Sequence, residues 1–195
     1  MNSELTKIEP INFSYNTNAV SKETFDQHIL LYNGYVKKTN TISSELYKKG
    51  AAPSDENEFR GLKTGETYCL DGVILHEEYF RGMTTAKTAP MEKTKELLNQ
   101  CFGSCDDFIS ALKTCAAAAR GWCVAAYDQR TKSLRLFMQD THDTGVVAAA
   151  FPILVLDVYE HAYYLDYKTN KGKYIDAYVE SIDWRRVEAC VEKII

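Results

Sequence analysis

Hydrophobic positions recur at helical spacing through the first half of the chain. Over 21–46, apolar and aromatic residues return every three or four positions, as on one face of a helix. Ser21, followed by an acid and a threonine, is a typical helix start. A loop with glycine, proline and several acids follows over 48–58, and helical spacing resumes from about 66 to 81. The pattern predicts a helical hairpin.

A polar stretch with three threonines and a proline interrupts this pattern at 82–90. Helical spacing returns over 91–102 and again over 108–120, where a glycine then marks the helix end. We therefore place a boundary after residue 90. It separates an N-terminal helical hairpin domain, 1–90, from a C-terminal α/β domain, 91–195.

The middle of the second domain changes from helical to strand spacing. Apolar positions alternate over 122–126 and 134–138, which predicts the two strands of a hairpin. The continuously apolar run 151–158 predicts a third strand that is buried on both faces. Helical patterns over 163–179 and 183–194 close the chain. The order of elements predicts an α+β fold, in which the N-terminal helical hairpin precedes helices around a three-stranded antiparallel sheet.

Composition excludes several classes of protein. The 195 residues are 45% hydrophobic and 12% aromatic, which is enough for a buried core. The net charge of −4 provides no basic field for nucleic acid or an anionic membrane. The first ten residues lack the apolar run of a signal peptide or a membrane span. We therefore expect a cytoplasmic protein with no nucleic-acid and no membrane partner.

The six cysteines are even in number, which in a short secreted chain would suggest disulfides. No CxxC pair occurs, and Cys115 and Cys123 sit within apolar stretches. Because free cysteine is among the most buried residue types, the sequence favours buried thiols. A two-cysteine metal site at Cys101 and Cys105 is the alternative.

Three of the four histidines fall in segments that are predicted to be buried. His28 and His76 lie on the two hairpin helices among aromatic residues, and His161 follows Asp157 by four positions at the end of an apolar strand. Each of them alone is more typical of a hydrogen-bonded core residue or an ion pair. Together they supply one hard oxygen and three imidazoles, a complete set for a single iron or manganese ion.

The C-terminal part of this set carries a specific motif. Segment 151–165 contains DVYEHAYY, which resembles the DVWEHAYY signature of iron/manganese superoxide dismutases, with Tyr159 where tryptophan is usual. Three further segments resemble the same family. Residues 28–40 are similar to its first ligand helix, 75–80 (LHEEYF) to its second ligand segment, and 120–122 to its Gly-Trp strand entry.

The resemblance implies an oxidoreductase with an antioxidant role. Members of the family disproportionate superoxide to oxygen and hydrogen peroxide at one Fe or Mn ion per subunit. By resemblance, the metal ligands are His28, His76, Asp157 and His161, and the metal lies between the two domains. The ligand set is common to iron and manganese enzymes, so it does not choose between the two metals.

The resemblance also implies residues around the metal. Tyr35 matches the tyrosine that manages hydrogen bonds near the metal, and Glu160 matches the glutamate that reaches a ligand histidine of the partner subunit. The family's donor that tunes the metal potential comes from a position here occupied by Gly72, which has no side chain, or from the sheet hairpin. We predict His142 as this donor, with Gln139 as the alternative. The subunits are expected to form a homodimer, with a tetramer as the alternative.

The first helix departs from the family pattern, which has a second histidine four residues after the ligand and the tyrosine eight after. Here His28 is followed by Tyr32 at four and Tyr35 at seven. Either a local widening of the helix accommodates one missing residue, or Gln27 occupies the ligand position. We favour the first, because glutamine is a poor ligand. Tyr32 then replaces the second histidine as a hydrogen-bond donor, although a phenol does not titrate near neutral pH.

This departure leaves an alternative function, that of a dismutase-like metal protein with little superoxide turnover, directed to peroxide or used as a scaffold. Superoxide is an anion and the chain is acidic, so a dismutase needs local cations near the site. Lys168 and Lys171, just beyond the motif, are the candidates. An ordinary solvated charge cluster at a helix end is the alternative for this pair.

Overall fold

The computed structural model describes residues 7–47, 53–145 and 147–195. Residues 1–6, residues 48–52 at the start of the predicted hairpin loop, and residue 146 lie outside these ranges. The described residues form an α+β fold with helices first and a three-stranded antiparallel sheet surrounded by helices second. The predicted fold class is therefore confirmed.

The first element is the long helix α1 (Lys22–Leu46). The Ser21 side chain accepts a hydrogen bond from the backbone N–H of Thr24, so this helix has the serine cap that the sequence predicts. One face of α1 is buried and includes Phe25, His28 and Val36. The apolar positions that recur at helical spacing in the sequence thus form the face of α1 that packs on the next helix.

Helix α2 (Glu56–Arg81) begins ten residues earlier than predicted. The Asp55 carboxylate accepts hydrogen bonds from the N–H groups of Asn57 and Glu58, which fixes the start. The first part of α2 contains Gly61 and Gly65 and buries no residue before Cys69, so it carries no apolar stripe for a sequence pattern to detect. The loop between the hairpin helices is correspondingly shorter.

Two shorter helices follow the polar stretch, α3 (Glu92–Phe102) and α4 (Cys105–Ala118). Gly103 adopts a φ of +93° between them, which a glycine tolerates without strain. Ser104 then caps α4 by accepting from the N–H of Asp107. This cap moves the start of α4 three residues ahead of the predicted 108.

The sheet consists of β1 (Trp122–Asp128), β2 (Ser133–Gln139) and β3 (Ala150–Asp157), in the order β2-β1-β3. Because β1 is the central strand and helices cover the sheet, nearly all of its residues are buried, not every second one as the alternation predicted. Burial of β3 on both faces holds only from Ile153 onward. Phe151, near the start of β3, is 44% exposed.

Three helices complete the chain, α5 (Glu160–Tyr167), α6 (Lys171–Glu180) and α7 (Trp184–Ile194). The single helix predicted over 163–179 is wrong, since the chain breaks between α5 and α6. Lys168 takes a φ of +53°, and the Asn170 side chain caps α6 by accepting from the N–H of Lys173. This break leaves α5 as a separate short helix directly after β3.

The arrangement brings four elements together at one place. Helix α1 packs on α2 and on α5, and α2 also packs on β3. The end of β3 and the first turn of α5 therefore meet the N-terminal part of α1 and the C-terminal part of α2. None of the helices in the described ranges has both the length and the hydropathy that crossing a membrane requires.

Candidate metal centre

Each of these four elements contributes one side chain to a common cluster. His28 comes from α1, His76 from α2, Asp157 is the last residue of β3, and His161 lies in the first turn of α5. The Tyr159 N–H donates to Asp157 Oδ1 at 2.9 Å, which tightens the turn from strand to helix. This turn brings His161 back beside Asp157.

The ligating atoms of the cluster converge on one carboxylate oxygen. Asp157 Oδ2 lies 3.1 Å from His28 Nε2, 3.2 Å from His161 Nε2 and 3.9 Å from His76 Nε2. All four ligating atoms lie within 4.8 Å of one another. Ligand atoms that share a metal ion at about 2.0–2.2 Å lie within roughly 4.4 Å of each other. The cluster is therefore close to the spacing that a single bound ion needs.

Two atoms in this cluster are buried without a hydrogen-bond partner. They are His28 Nε2 and His76 Nε2. The former is near Asp157 Oδ2, but the direction does not suit a hydrogen bond. His28, His76 and Asp157 are almost fully buried, whereas the His161 side chain is 31% exposed. Buried polar groups nearly always have a partner, so two unpartnered imidazole nitrogens facing a carboxylate fit a bound metal ion.

The protonation of His76 suits a metal ligand. Its Nδ1 lies 2.6 Å from the Gly72 carbonyl oxygen, which can only accept, so Nδ1 carries the proton and Nε2 keeps its lone pair. Burial, aided by the charge of His28, lowers the pKa of His76 to about 3. The imidazole is therefore neutral, with the nitrogen that faces the cluster free to bind a metal.

Asp157 stays ionised in the same environment. Burial alone would raise its pKa, but the charges of His161 and His28, together with the hydrogen bond to His161, outweigh burial and hold the pKa below its usual range. The carboxylate is also fixed in place. Its backbone carbonyl accepts from the Tyr174 hydroxyl at 2.7 Å, while Oδ1 is held by the Tyr159 N–H. Oδ2 is thereby directed to the three histidines.

His142 lies beside the cluster as a neutral donor. The Trp122 indole N–H donates to His142 Nδ1 at 2.9 Å, so Nδ1 is the acceptor and Nε2 carries the proton. The residue is 1% exposed, and burial lowers its pKa to about 4. Its Nε2 is buried without a partner. His142 therefore offers one unused N–H next to His76, whose ring centroid is 5.8 Å away.

Gly72 makes room for these contacts. A Cβ atom at this position would lie 3.0 Å from Tyr35 Cδ1 and 3.3 Å from His142 Cδ2, so the two rings would have to shift by a few tenths of an ångström. The Tyr35 ring lies 5.3 Å from that of His76 and 4.7 Å from that of His142. Burial raises the pKa of Tyr35, and so does the hydrogen bond that joins it to Tyr68. Tyr35 is thus a protonated phenol at the edge of the cluster.

The structure places His28, and not Gln27, at the cluster. Helix α1 is a regular α-helix throughout, so the local widening that we predicted is absent. Two turns of an α-helix span about seven residues, and His28 and Tyr35 therefore share a face without any irregularity. Gln27 is exposed and lies outside the buried face of α1 that carries His28.

Tyr32 has a different environment from the one expected. It is fully buried, and its hydroxyl accepts from the Ile11 N–H and donates to Glu77 Oε1, both at 2.9 Å. Its hydrogen bonds therefore hold the N-terminal segment against α2. Across the part of the chain that the structure describes, its hydroxyl bonds none of the four clustered side chains.

The remaining predicted residues lie at the edge of the site. Glu160 is exposed at the start of α5, next to His161. Lys171 Nζ donates to the carbonyls of Ala117 and Ala119 at the end of α4, and Lys168 Nζ donates to that of Leu165. Both lysines therefore hydrogen-bond backbone carbonyls at helix ends.

Sequence reasoning assigned no role to four aromatic residues around the cluster, namely Tyr68, Trp122, Tyr159 and Tyr174. Tyr68 lies eight residues before His76, close to two helical turns. This spacing places Tyr68 near the face of α2 that carries His76. Tyr159 stacks on His161 with ring centroids 5.2 Å apart. The bonds of Trp122 and Tyr174 join residues 20 and 17 positions apart, and no spacing rule predicts them.

Comparisons with known proteins identify the chain. Residues 90–190 match the family described as iron/manganese superoxide dismutases, C-terminal domain. The superoxide dismutase [Fe] of Aquifex pyrophilus is 36% identical over 96% of this chain and 92% of its own length. The superoxide dismutase [Mn] 2 of Halobacterium salinarum is 39% identical over 86% of this chain and 84% of its own. The chain belongs to the iron/manganese superoxide dismutase family.

Proposed function

We propose that His28, His76, Asp157 and His161 bind one iron or manganese ion, at which the protein disproportionates superoxide to oxygen and hydrogen peroxide. The observation that carries this proposal is the buried cluster, with four ligating atoms within 4.8 Å and two unpartnered imidazole nitrogens. Relatives named as iron and as manganese superoxide dismutases support the reaction and both metals. They disfavour the alternative of a metal protein with little superoxide turnover.

The chain's own residues prepare the site for this reaction. A bound iron or manganese ion supplies one-electron chemistry by alternating between its trivalent and divalent states. Asp157 provides the negative oxygen that a trivalent ion favours. Peroxide formation consumes protons, and His142 Nε2 and the Tyr35 hydroxyl are two protonated groups beside the cluster. Both are neutral at physiological pH, so they donate hydrogen bonds to a small anion without holding it as an ion pair.

The experiment that tests this function compares two substrates on one preparation. Metal-loaded protein is mixed with superoxide and, separately, with hydrogen peroxide, and the consumption of each is followed. The proposal expects superoxide consumption to dominate. Dominant peroxide consumption would instead favour the peroxide-directed alternative.

His142 is the donor that we propose for tuning the metal potential. Replacing it with glutamine exchanges an imidazole N–H for a longer amide, while the ligands stay in place. We expect His142→Gln to keep its metal and to shift the reduction potential by about 60 mV or more, a tenfold change in a one-electron equilibrium. Redox titration of the metal-loaded variant measures this shift.

The control for this prediction is Gln139→Met, which removes the rival amide. Gln139 is 5% exposed and its Oε1 has no partner, so methionine fits its volume at little cost. We expect the control to leave the potential unchanged. A shift in Gln139→Met together with an unchanged potential in His142→Gln would transfer the role to Gln139.

We propose that the protein is a homodimer in which α5 pairs with its copy. Leu31, Tyr164 and Leu165 form an exposed apolar patch around His161, with 42%, 45% and 47% exposure. Glu160 is exposed beside the patch. In a two-fold symmetric contact the same patch faces itself, so each Glu160 can accept a hydrogen bond from His161 of the partner subunit. This contact would also cover the most exposed member of the cluster.

The dimer is tested by placing a charge in this patch. We expect Leu165→Asp to halve the mass measured by light scattering, because two-fold symmetry brings two buried carboxylates together. Met138→Asp is the matched control, since Met138 is 48% exposed on the edge strand and away from α5. A wild-type mass of a single chain would contradict the proposal, and a mass of four chains would favour the tetramer.

The predicted division into domains is retained as a proposal. His28 and His76 come from 1–90, whereas Asp157 and His161 come from 91–195, so the ion would join the two parts. The start of the family match at residue 90 supports the same boundary. A cytoplasmic location and an antioxidant role stay predictions.

A further inference from the structure

A second pair of reactive groups lies outside the metal cluster, where α4 packs on the sheet. Cys123 Sγ, on β1, lies 3.8 Å from the Leu112 carbonyl oxygen. In a helix this oxygen points toward the residues three and four positions later, so the sulfur is next to the turn that carries Cys115. Cys115 Sγ in turn lies 3.9 Å from the Phe137 carbonyl oxygen. Phe137 adjoins Met138, the β2 residue that pairs with Cys123.

Cys123 Sγ therefore contacts α4, the helix that carries Cys115. Cys115 Sγ contacts β2, the strand that pairs with the strand of Cys123. The two thiols are close enough for each to perturb the pKa of the other. Neither thiol takes part in the proposed metal site. Both are free cysteines in the structure, which makes the contact a dithiol and not a disulfide.

The two thiols differ in exposure and in acidity. Cys123 is fully buried, whereas Cys115 is half-buried and reachable from solvent. The interaction with Cys123 lowers the pKa of Cys115, although burial opposes this effect, and the same interaction together with burial raises the pKa of Cys123. Thiolates are the reactive form, so Cys115 reacts first.

A lysine lies at the helix end beside this pair of thiols. Cys115 lies in the last turn of α4, where the helix dipole disfavours a thiolate. Lys171 Nζ donates to the carbonyls of Ala117 and Ala119 at this same helix end, and its ammonium charge also acts on Cys123. The positive charge of Lys171 therefore lies at the same helix end as Cys115.

We propose that Cys115 and Cys123 form a peroxide-reactive pair that closes to an intramolecular disulfide. The Cys115 thiolate attacks one oxygen of hydrogen peroxide, the O–O bond breaks, and a sulfenic acid and hydroxide result. The Cys123 sulfur then attacks the sulfenic sulfur, loses its proton, and expels hydroxide as the S–O bond breaks. Two thiols and one peroxide thus give one disulfide and two waters.

Only the source of the oxidant rests on the proposed function, since hydrogen peroxide is the product of superoxide disproportionation. The other four cysteines serve as internal controls. Cys69 and Cys190 are buried and burial raises the pKa of each, while Cys101 Sγ accepts from the Leu134 N–H at 3.2 Å. The fourth, Cys105, is half-buried at the start of α4.

The sequence makes the pair easy to map. Trypsin cleaves after Lys113, Arg120 and Arg130, so Cys115 falls in peptide 114–120 and Cys123 in peptide 121–130. Reduced, metal-loaded protein is exposed to hydrogen peroxide, its remaining thiols are alkylated, and the digest is analysed by mass spectrometry. A sample with catalase added beforehand controls for oxidants other than peroxide.

We expect the two peptides to appear linked by a disulfide, and the other cysteines to be alkylated. Cys123→Ala should instead leave a sulfenic acid at Cys115 that dimedone traps, and Cys115→Ala should leave peptide 121–130 alkylated. Full alkylation of both peptides after peroxide, or linkage of Cys115 to another cysteine, would overturn the proposal. Added peroxide acts whether or not the protein consumes superoxide, so failure of the dismutase proposal would be visible separately.

Discussion

Replacing His28 with alanine is expected to abolish both metal binding and superoxide turnover. His28 is 1% exposed, and its Nε2 is one of the two unpartnered nitrogens in the cluster. Loss of an outer-sphere partner already costs about 10–100-fold in metal affinity, so loss of a direct ligand should cost at least the upper end of that range. Metal content of the purified variant, measured together with superoxide consumption, checks this result.

The neighbouring residue provides the matched control. Gln27→Ala changes an exposed side chain one position away on the same helix and should leave metal content and turnover at wild-type values. The result also decides the alternative raised by the family pattern. Metal loss in Gln27→Ala with full metal in His28→Ala would mean that the first ligand is Gln27 and that the cluster is a buried ion-pair network.

Removing the metal should produce a large loss of stability. The proposed ligands come from α1, α2, β3 and α5, so an ion bound to the folded state opposes the separation of all four elements. A ligand present at 1,000 times its dissociation constant adds about 4 kcal/mol to the free energy of unfolding. Denaturant unfolding of metal-loaded and metal-free protein should differ by about this amount.

The same measurement on His28→Ala separates a bound ion from a general effect of metal salts. This variant should unfold at the same denaturant concentration with and without added iron or manganese. Equal stability of loaded and metal-free wild-type protein would show that the cluster does not link the four elements through an ion.

The sequence could predict those parts of the site that depend on residues close together along the chain. Asp157 and His161 are four residues apart at a strand end, and the apolar run before them marks that end. The sequence also points to His28 and His76, because each lies among aromatic residues on a helical face. Periodicity describes a face well, and all four of these side chains do lie on buried faces or at their edge.

The hydrogen bonds that define the site depend on contacts between distant segments. The protonation of His142 follows from the Trp122 indole, and the direction of Asp157 follows from Tyr174. The spacing of Tyr32 from His28 predicts its hydroxyl at the site, yet this hydroxyl is held by Ile11 and Glu77. A helical period gives the face of a residue but not the direction of its terminal atom.

The predicted helix boundaries were wrong where a capping side chain, and not the apolar pattern, sets the end of the helix. Helix α2 begins at the Asp55 cap, in a stretch with two glycines and no apolar stripe. The break after α5 follows from the backbone conformation of Lys168 and from the Asn170 cap, within a stretch whose apolar period continues on both sides. In both cases local hydrogen bonds set the end of the helix, and these depend on single polar residues.

The most direct test of the metal centre is the metal content and superoxide turnover of the purified protein after reconstitution with iron and, separately, with manganese. The account predicts one bound ion per chain and superoxide consumption with at least one of the two metals, both lost in His28→Ala. Binding of only a small fraction of an equivalent of either metal, without superoxide consumption, would contradict it.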